Sequence, residues 1–501
     1  MKKYDVVIIG SGISSIISGL ILTKHRKSVC ILEQHYTPGG YTHSFTKNGV
    51  MYDTGAHYIG ALDKGRPFHT LLTYLDIPMD GLFFPLDRHG YDILEFPSFS
   101  VEYACDYEQT ISNLSTIFRK ESDAIRRYFD YVKKVALQFP TYEYDSSYDE
   151  ASMQKIMNTS LQDVLDTFTR RPRLQSALAA YCTLHGVFPK DVPFGIHAVV
   201  TDSLMHSVHG LRNGGQAFVD ALLVRFKNQG GELFMQEKVV DLDIENSLIK
   251  KVTTASGKHF IAEWIISGIH PKAIFSFVRK HLKKAFTNRL DNIQESASFL
   301  TIYGEFKDVK HFAPLKNYYY FQQESPDKLI EVGTASDTPS CIFLSHPNTL
   351  DRKTGQTIII PAKMEWFKRW ENLCSNERKN DGAYNSIKQT IAQKILKTLA
   401  SRGVSIDSWK TLDISTPITN RDFNGSIDGS AYGIYHSIDN TGVRALGPRT
   451  HIRNLLITGQ STLFPGMLGA AISGLRSCGH LIGIRSLLEE LKKIQHTNRK
   501  G

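Results

Sequence analysis

Hydrophobic and polar positions along this chain follow two periods. Residues Tyr4 to Ile9 are apolar apart from Asp5 at their mouth, the pattern of a central parallel strand buried on both faces. The turn Gly10-Ser11-Gly12 follows, Ile13 to Lys24 are expected to be helical, and Ser28 to Leu32 to form a second strand. Further along, Ile111, Leu114, Phe118, Ile125, Phe129, Val132 and Val135 recur at helical spacing, while Arg119, Lys120, Arg126, Arg127, Lys133 and Lys134 fill the other faces. Two readings fit that stretch: a surface helix packed on its own domain, or a basic amphipathic face resting on a membrane. Residues 296–306, 314–323 and 356–361 read as strands, and Tyr318, Tyr319, Tyr320 and Phe321 should alternate across the faces of theirs. Near the end, Leu455 to Ile457 read as a short buried strand, Gly459 as a backbone opening, and Leu468 as the start of a helix rich in small residues.

Length and composition narrow the class. A chain of 501 residues suggests two or three domains, and 41% hydrophobic with 22% charged residues is ordinary for a folded protein. The net charge of +9 can favour anionic membranes or nucleic acid. The basic residues are scattered, however, and no zinc finger, RNA-recognition signature or basic arm is present, so nucleic-acid binding is not expected. None of the six cysteines forms a CxxC pair or clusters in sequence with histidine, so no metal site is expected, and a reducing compartment is. Val6 to Leu22 carry no charge and are flanked by lysines, as in a signal peptide or a short membrane span. Asp5 at the mouth and Gly10, Ser11, Gly12, Ser14 and Ser15 within the run argue against both, and a cytoplasmic location is the expectation.

The opening unit carries the first chemical signal. Gly10 and Gly12 allow a tight turn and bring backbone N–H groups close to a diphosphate at a helix N-terminus. Glu33, at the end of the second strand, can accept hydrogen bonds from ribose hydroxyls. Ser15 stands where the third glycine of the dinucleotide fingerprint is usual, and it is small enough for close packing of helix on strand. A second turn, Pro38-Gly39-Gly40, follows so soon after the ribose acid that it favours a flavin over a plain nicotinamide unit.

Residues 33–60, EQHYTPGGYTHSFTKNGVMYDTGAHYIG, resemble the phytoene desaturase and carotenoid isomerase group of FAD-dependent oxidoreductases, and within it the retinol saturase-like proteins. Residues 209–243, 264–271, 425–433 and 454–483 resemble the same group. The resemblance implies an α/β fold: an FAD-binding, glutathione-reductase-type Rossmann domain with an inserted α+β substrate domain. It implies FAD segments at about 1–75, 205–300 and 435–501, and substrate segments at 76–204, mostly helical, and 301–434, containing a sheet. The cofactor positions it implies are Gly10, Gly12, Ser15, Glu33, Gly39, Gly40, Tyr41, Val239, Gly459, Gln460, Met467 and Leu468. Tyr41 replaces the Arg or Lys of many relatives, and Gln460 a common Asp. His57 is the leading catalytic candidate and Tyr58 the next, as proton donor or flavin partner; His43 and His185 have no independent support. The implied activity is saturation of a double bond in a long apolar polyene, with cis–trans isomerisation or desaturation as alternatives. The electron donor would be NAD(P)H or another carrier, and an anionic membrane a peripheral partner. The oligomeric state is open.

Overall fold

The computed structural model describes residues 2–145, 149–309, 312–346 and 355–500. The opening apolar run forms the strand Lys3–Ile9, in the middle of a seven-stranded sheet. Its neighbours are Val29–Leu32, which pairs in turn with Glu232–Phe234, and the long strand His259–Ser267, all parallel. The far edge of His259–Ser267 is shared. Its start pairs antiparallel with Leu248–Thr254, which leads to Val239–Glu245, and its end pairs in parallel with Leu455–Ile457. Residues from three distant stretches of chain therefore build one sheet.

The period of two inside the apolar runs divides the two cores. Val6, Ile8, Val29 and Ile31 face the helices Ile13–Lys24, Gly214–Asn228 and Gly466–Ile482, whereas Val7, Ile9, Cys30 and Leu32 face the layer holding Val252, Phe260 and Ile274. Two of these helices approach backbone to backbone. A Cβ on Gly474 would lie 2.5 Å from the Ser14 carbonyl oxygen. Ser18 donates from its hydroxyl to the carbonyl of Gly474, 3.3 Å away.

A second seven-stranded sheet has the order Trp409–Ser415, Ser298–Phe306, Gln356–Ala362, Cys341–His346, Lys316–Phe321, Asp92–Glu95, Ser100–Tyr103. Its pairings are antiparallel except for Lys316–Phe321 against Asp92–Glu95. The aromatic run alternates across it as expected. Tyr318 and Tyr320 face one core, Tyr319 and Phe321 the other, with ring centroids 6.2 and 6.3 Å apart within each pair. A small sheet of Tyr58–Gly60, Val208–Leu211 and Phe83–Pro85 lies beside the helix Phe194–His206, where Ala61 N–H donates to Ser203.

Two expectations change. The stretch with helical spacing is broken into Tyr107–Ile117 and Ser122–Ala136 by a 3₁₀ turn, and all seven of its apolar positions are buried in the protein's own core. That leaves no apolar face on it for a membrane; its six basic residues are simply exposed. The strands Asp92–Glu95 and Ser100–Tyr103 add to the expected ones; the buried face of the first includes a charged residue, Asp92, which hides its pattern. No helix among the described residues is long and apolar enough to cross a membrane.

Candidate functional site

One cavity of about 1500 Å³ runs between the two large sheets. The glycine turns form one end. Gly10 has φ +88°, and its N–H donates to Leu32 at 2.8 Å, so the chain reverses immediately after the strand. Gly39 N–H donates to Ser11, and a Cβ on Gly40 would lie 3.4 Å from the Gly12 Cα, so the two turns sit backbone on backbone. Gly12, by contrast, faces open space: a Cβ there would meet no atom of the described residues within 4 Å. It caps the helix Ile13–Lys24, whose first turn carries neither a side-chain cap nor an acidic residue. The helix Gly466–Ile482 also begins at the cavity, through Gly466, Met467 and Leu468, and again lacks both. Two uncapped helix N-termini on one cavity favour negative charge there.

Glu33 is held rigidly beside the first turn. Its Oε2 accepts from the Ser11 N–H at 2.8 Å and the Ser11 hydroxyl at 2.5 Å, and its Oε1 from the His35 N–H at 2.8 Å. Further lone pairs of this carboxylate remain available on the cavity side. Val239 lines the same end. The Tyr41 phenol donates to the Ser430 carbonyl at 2.7 Å and tethers the 426–430 segment to the second glycine turn. Gln460 donates to the Ala431 carbonyl at 3.1 Å, and Gly459 N–H to the Ser473 hydroxyl at 2.9 Å. Phe299 and Pro361, paired on the second sheet, and Phe343 and Ile359, paired beside them, add an apolar stretch to its wall.

His57 and Tyr58 also line the cavity. Burial lowers the His57 pKa to about 4, its Nδ1 is 3.4 Å from the Thr357 hydroxyl, and its Nε2 has no partner among the described residues. The imidazole is neutral near pH 7, which weakens its candidacy as a cationic proton donor. Asp53, two residues before Gly55, receives Ser44 Oγ and Gly215 N–H, each at 2.7 Å, and fixes the start of the helix Gly214–Asn228. Burial raises it to about 6.

Three sequence candidates fall elsewhere. Ser15 is off the cavity: it packs under the sheet, where a Cβ on Gly268 would lie 2.0 Å from its hydroxyl. His43 braces the second turn through Nδ1 to the Gly40 carbonyl at 2.6 Å. His185 lies with Cys182 and His197, and this corrects the expectation that no cysteine gathers with histidines: the donor atoms of the three lie within 4.8 Å of one another. The trio is fully buried, with His185 Nε2 and His197 Nδ1 3.3 Å apart and His197 Nε2 donating to Leu178. Burial pushes the Cys182 thiol well up and so keeps it protonated.

Other groups at the site carried no sequence signal. His270 and Lys272 each lie 2.9 Å from the Glu295 carboxylate on the cavity wall, and against the upward pull of burial they hold it below its usual range. Behind Tyr58 lies Asp92, fully buried.

The comparisons agree with this geometry. A family described as NAD(P)-binding Rossmann-like domain matches residues 8–75. The chain is 24% identical to the all-trans-retinol 13,14-reductase of Rattus norvegicus over 98% of its length and 88% of the relative's. It is 25% identical to that of Danio rerio over 100% and 90%. It is also 24% identical to the chloroplastic prolycopene isomerase 1 of an Oncidium hybrid cultivar, over 96% and 84%. Its relatives are thus enzymes of the group that its motifs resemble. Among solved structures it superposes on an oxidoreductase from Methanosarcina mazei with a TM-score of 0.63, at 14% identity, over 95% of this chain and 99% of that one. A cyclohexylamine oxidase from Brevibacterium oxydans gives 0.58 at 14%, over 98% and 100%. These likenesses establish the mixed α/β, Rossmann-like fold.

Proposed function

We propose that this protein is an FAD-dependent oxidoreductase that saturates a carbon–carbon double bond in a long apolar polyene: a retinoid, a carotenoid or a related isoprenoid. The observation that carries the reading is one large cavity whose lining combines a glycine-lined, helix-N-terminal cradle and a fixed acid with an apolar stretch of the second sheet. The relatives named for retinol reduction and prolycopene isomerisation support the substrate class. Bound FAD would supply two-electron chemistry at a carbon–carbon bond.

The chain's own residues bind, orient and exclude water. Gly10 and Gly12, with the start of the helix Ile13–Lys24, fit a diphosphate, because the space beside Gly12 is open and the helix end is uncapped. Glu33 fits a ribose diol, held against swinging by three donors. The N-terminus of Gly466–Ile482 fits a group that gains negative charge. Gly39, Gly40, Tyr41, Val239, Gly459 and Gln460 complete the wall on that side. A polyene offers no polar handle along its length, so Phe299, Phe343, Ile359 and Pro361 would hold it by apolar contact and shape.

A nicotinamide nucleotide is our proposed electron donor. We also propose that substrate arrives from an anionic membrane at the cytoplasmic face, a reading supported by the net charge of +9. It predicts salt-sensitive binding to vesicles containing phosphatidylserine; no binding at low salt removes it. Isomerisation is the second reading, favoured by the prolycopene isomerase relatives. The function is tested by loading the protein with FAD and titrating it with retinoids and carotenoids while following the flavin absorbance. A saturable perturbation is expected. Tight flavin binding with no response to any polyene would separate the cofactor from the proposed substrate.

A further inference from the structure

We propose that Tyr319 is the proton donor for addition across the double bond, and that Tyr58 and Asp92 form the relay that recharges it. The proposal rests on the polyene-reductase reading above. Tyr319 and Tyr58 both line the cavity, beside Phe343 on its apolar wall, with ring centroids 4.8 and 6.3 Å from that phenylalanine. Their hydroxyls are 2.6 Å apart. Tyr58 donates onward to Asp92 Oδ2 at 3.2 Å, Tyr181 donates to the same oxygen at 3.2 Å, and the Asn317 amide donates to Oδ1 at 3.0 Å. Tyr91 and Tyr181 hydroxyls lie 2.7 Å apart behind them.

The strands explain this gathering. Parallel pairing sets Asp92 opposite Asn317 and Leu94 opposite Tyr319, and Tyr58 arrives on the small sheet from the other side. Among the described residues, the titratable and polar groups facing Asp92 are the phenols of Tyr58, Tyr91, Tyr181 and Tyr319, the Cys105 thiol and the Asn317 amide. None is a cation, so burial dominates and raises the carboxyl to about 7. Near neutrality Asp92 therefore exchanges a proton readily.

Direction follows from that proton. With Asp92 ionised, the chain runs from Tyr319 O–H to Tyr58 O–H to the carboxylate. With Asp92 protonated, it reverses: the carboxyl donates to Tyr58, Tyr58 donates to Tyr319, and the Tyr319 O–H is left to donate into the cavity. In the proposed step the alkene receives two electrons and one hydrogen from the reduced flavin at one carbon. At the adjacent carbon it receives the Tyr319 phenolic proton. The C=C π bond, the Tyr319 O–H bond and the bond that held the transferred hydrogen on bound reduced flavin would break, two C–H bonds would form and the flavin would be left two electrons oxidised; Tyr319 regains a proton from Tyr58, Tyr58 from Asp92, and Asp92 from solvent. Tyr319 is the catalytic residue, and Tyr58 and Asp92 act through it. The neutral His57 has no place in the chain.

The test uses the full protein and Tyr319→Phe, Tyr58→Phe and Asp92→Asn, with flavin binding followed by absorbance in each. In apoprotein, infrared difference spectra should show a carboxyl C=O band that disappears as pH rises through about 7 and is missing from Asp92→Asn. In anaerobic single turnovers of reduced holoprotein with retinol, Tyr319→Phe should slow product formation by about 10²- to 10⁴-fold. The wild-type rate should fall about tenfold per pH unit above 7, and Asp92→Asn should be slow and flat with pH. A purely structural role would leave the pH profile in place. The proposal is overturned if Tyr319→Phe keeps the wild-type rate and profile, or if the Asp92 band is already lost below pH 5. If the wild type transforms no polyene, the functional reading fails by itself and the infrared titration alone decides the relay: a band titrating near 7 and displaced in Tyr58→Phe supports it, and no such band overturns it.

Discussion

Replacing Gly12 by alanine adds one methyl group at an open point of the proposed dinucleotide cradle. The backbone there has φ −64° and ψ 167°, which alanine adopts without strain, and the new Cβ meets no atom of the described residues within 4 Å. Alanine is a poorer helix cap than glycine but restricts the unfolded chain, and these effects oppose each other, so the apoprotein should stay within about 1 kcal/mol of wild type. The methyl group instead occupies the cavity where backbone N–H groups should meet a diphosphate. Losing one charge-assisted hydrogen bond costs about 1.5–3 kcal/mol, a roughly 10- to 150-fold weaker affinity. The assay is thermal unfolding with and without FAD, alongside direct titration of flavin fluorescence. At a flavin concentration of about 100 times the wild-type Kd, the wild type gains about 2.7 kcal/mol of stability, while a variant weakened about 100-fold gains only about 0.4 kcal/mol. A Gly12→Ala protein that folds normally and binds FAD as tightly as the wild type would refute the placement of the diphosphate at this turn.

Four further outcomes follow from the geometry. Glu33→Ala removes the acceptor of three donors and should weaken FAD binding by at least tenfold, whereas Glu33→Gln, keeping one acceptor oxygen, should fall between it and wild type in the same titration. Gly474→Val forces a side chain against the Ser14 carbonyl at the helix crossing and should destabilise by about 1–3 kcal/mol in urea unfolding; an unchanged midpoint contradicts the close approach. Burial holds His57, His197 and His436 at about 4, so between that pH and about 6.5 the unfolded chain binds protons that the native state refuses, and their contribution to stability rises with pH across this window. Asp92 has the opposite sign, binding its proton more tightly when folded, so Asp92→Asn should gain on wild type as pH rises from about 4 to about 7; a pH-independent difference in melting temperature would contradict its raised pKa.

Much of the cradle was legible because it is local. The run Tyr4 to Ile9 ends abruptly at a glycine turn, and the helix Ile13–Lys24 and the strand Leu455–Ile457 fall where the apolar pattern puts them. The helix that follows this strand begins at Gly466, two residues before Leu468, since Pro465 and glycine set its start rather than the apolar pattern. The relay was not legible. Asp92, Tyr58, Tyr181 and Tyr319 are joined by contacts spanning 34 to 261 residues of sequence, and the four-residue strand that carries Asp92 gives no periodic signal. Cys182, His185 and His197 meet only because a 3₁₀ turn and the helix Phe194–His206 converge. His57 drew notice as a histidine in a turn, but its burial, and hence its neutrality, depends on a sheet contributed from far along the chain.

The most direct measurement is the mass of the product. Holoprotein reduced anaerobically and mixed with all-trans-retinol or a carotenoid should release a compound two hydrogens heavier than its substrate. A rearranged product of unchanged mass would replace saturation by isomerisation, and recovery of every polyene unaltered from flavin-loaded, reduced protein would contradict the account.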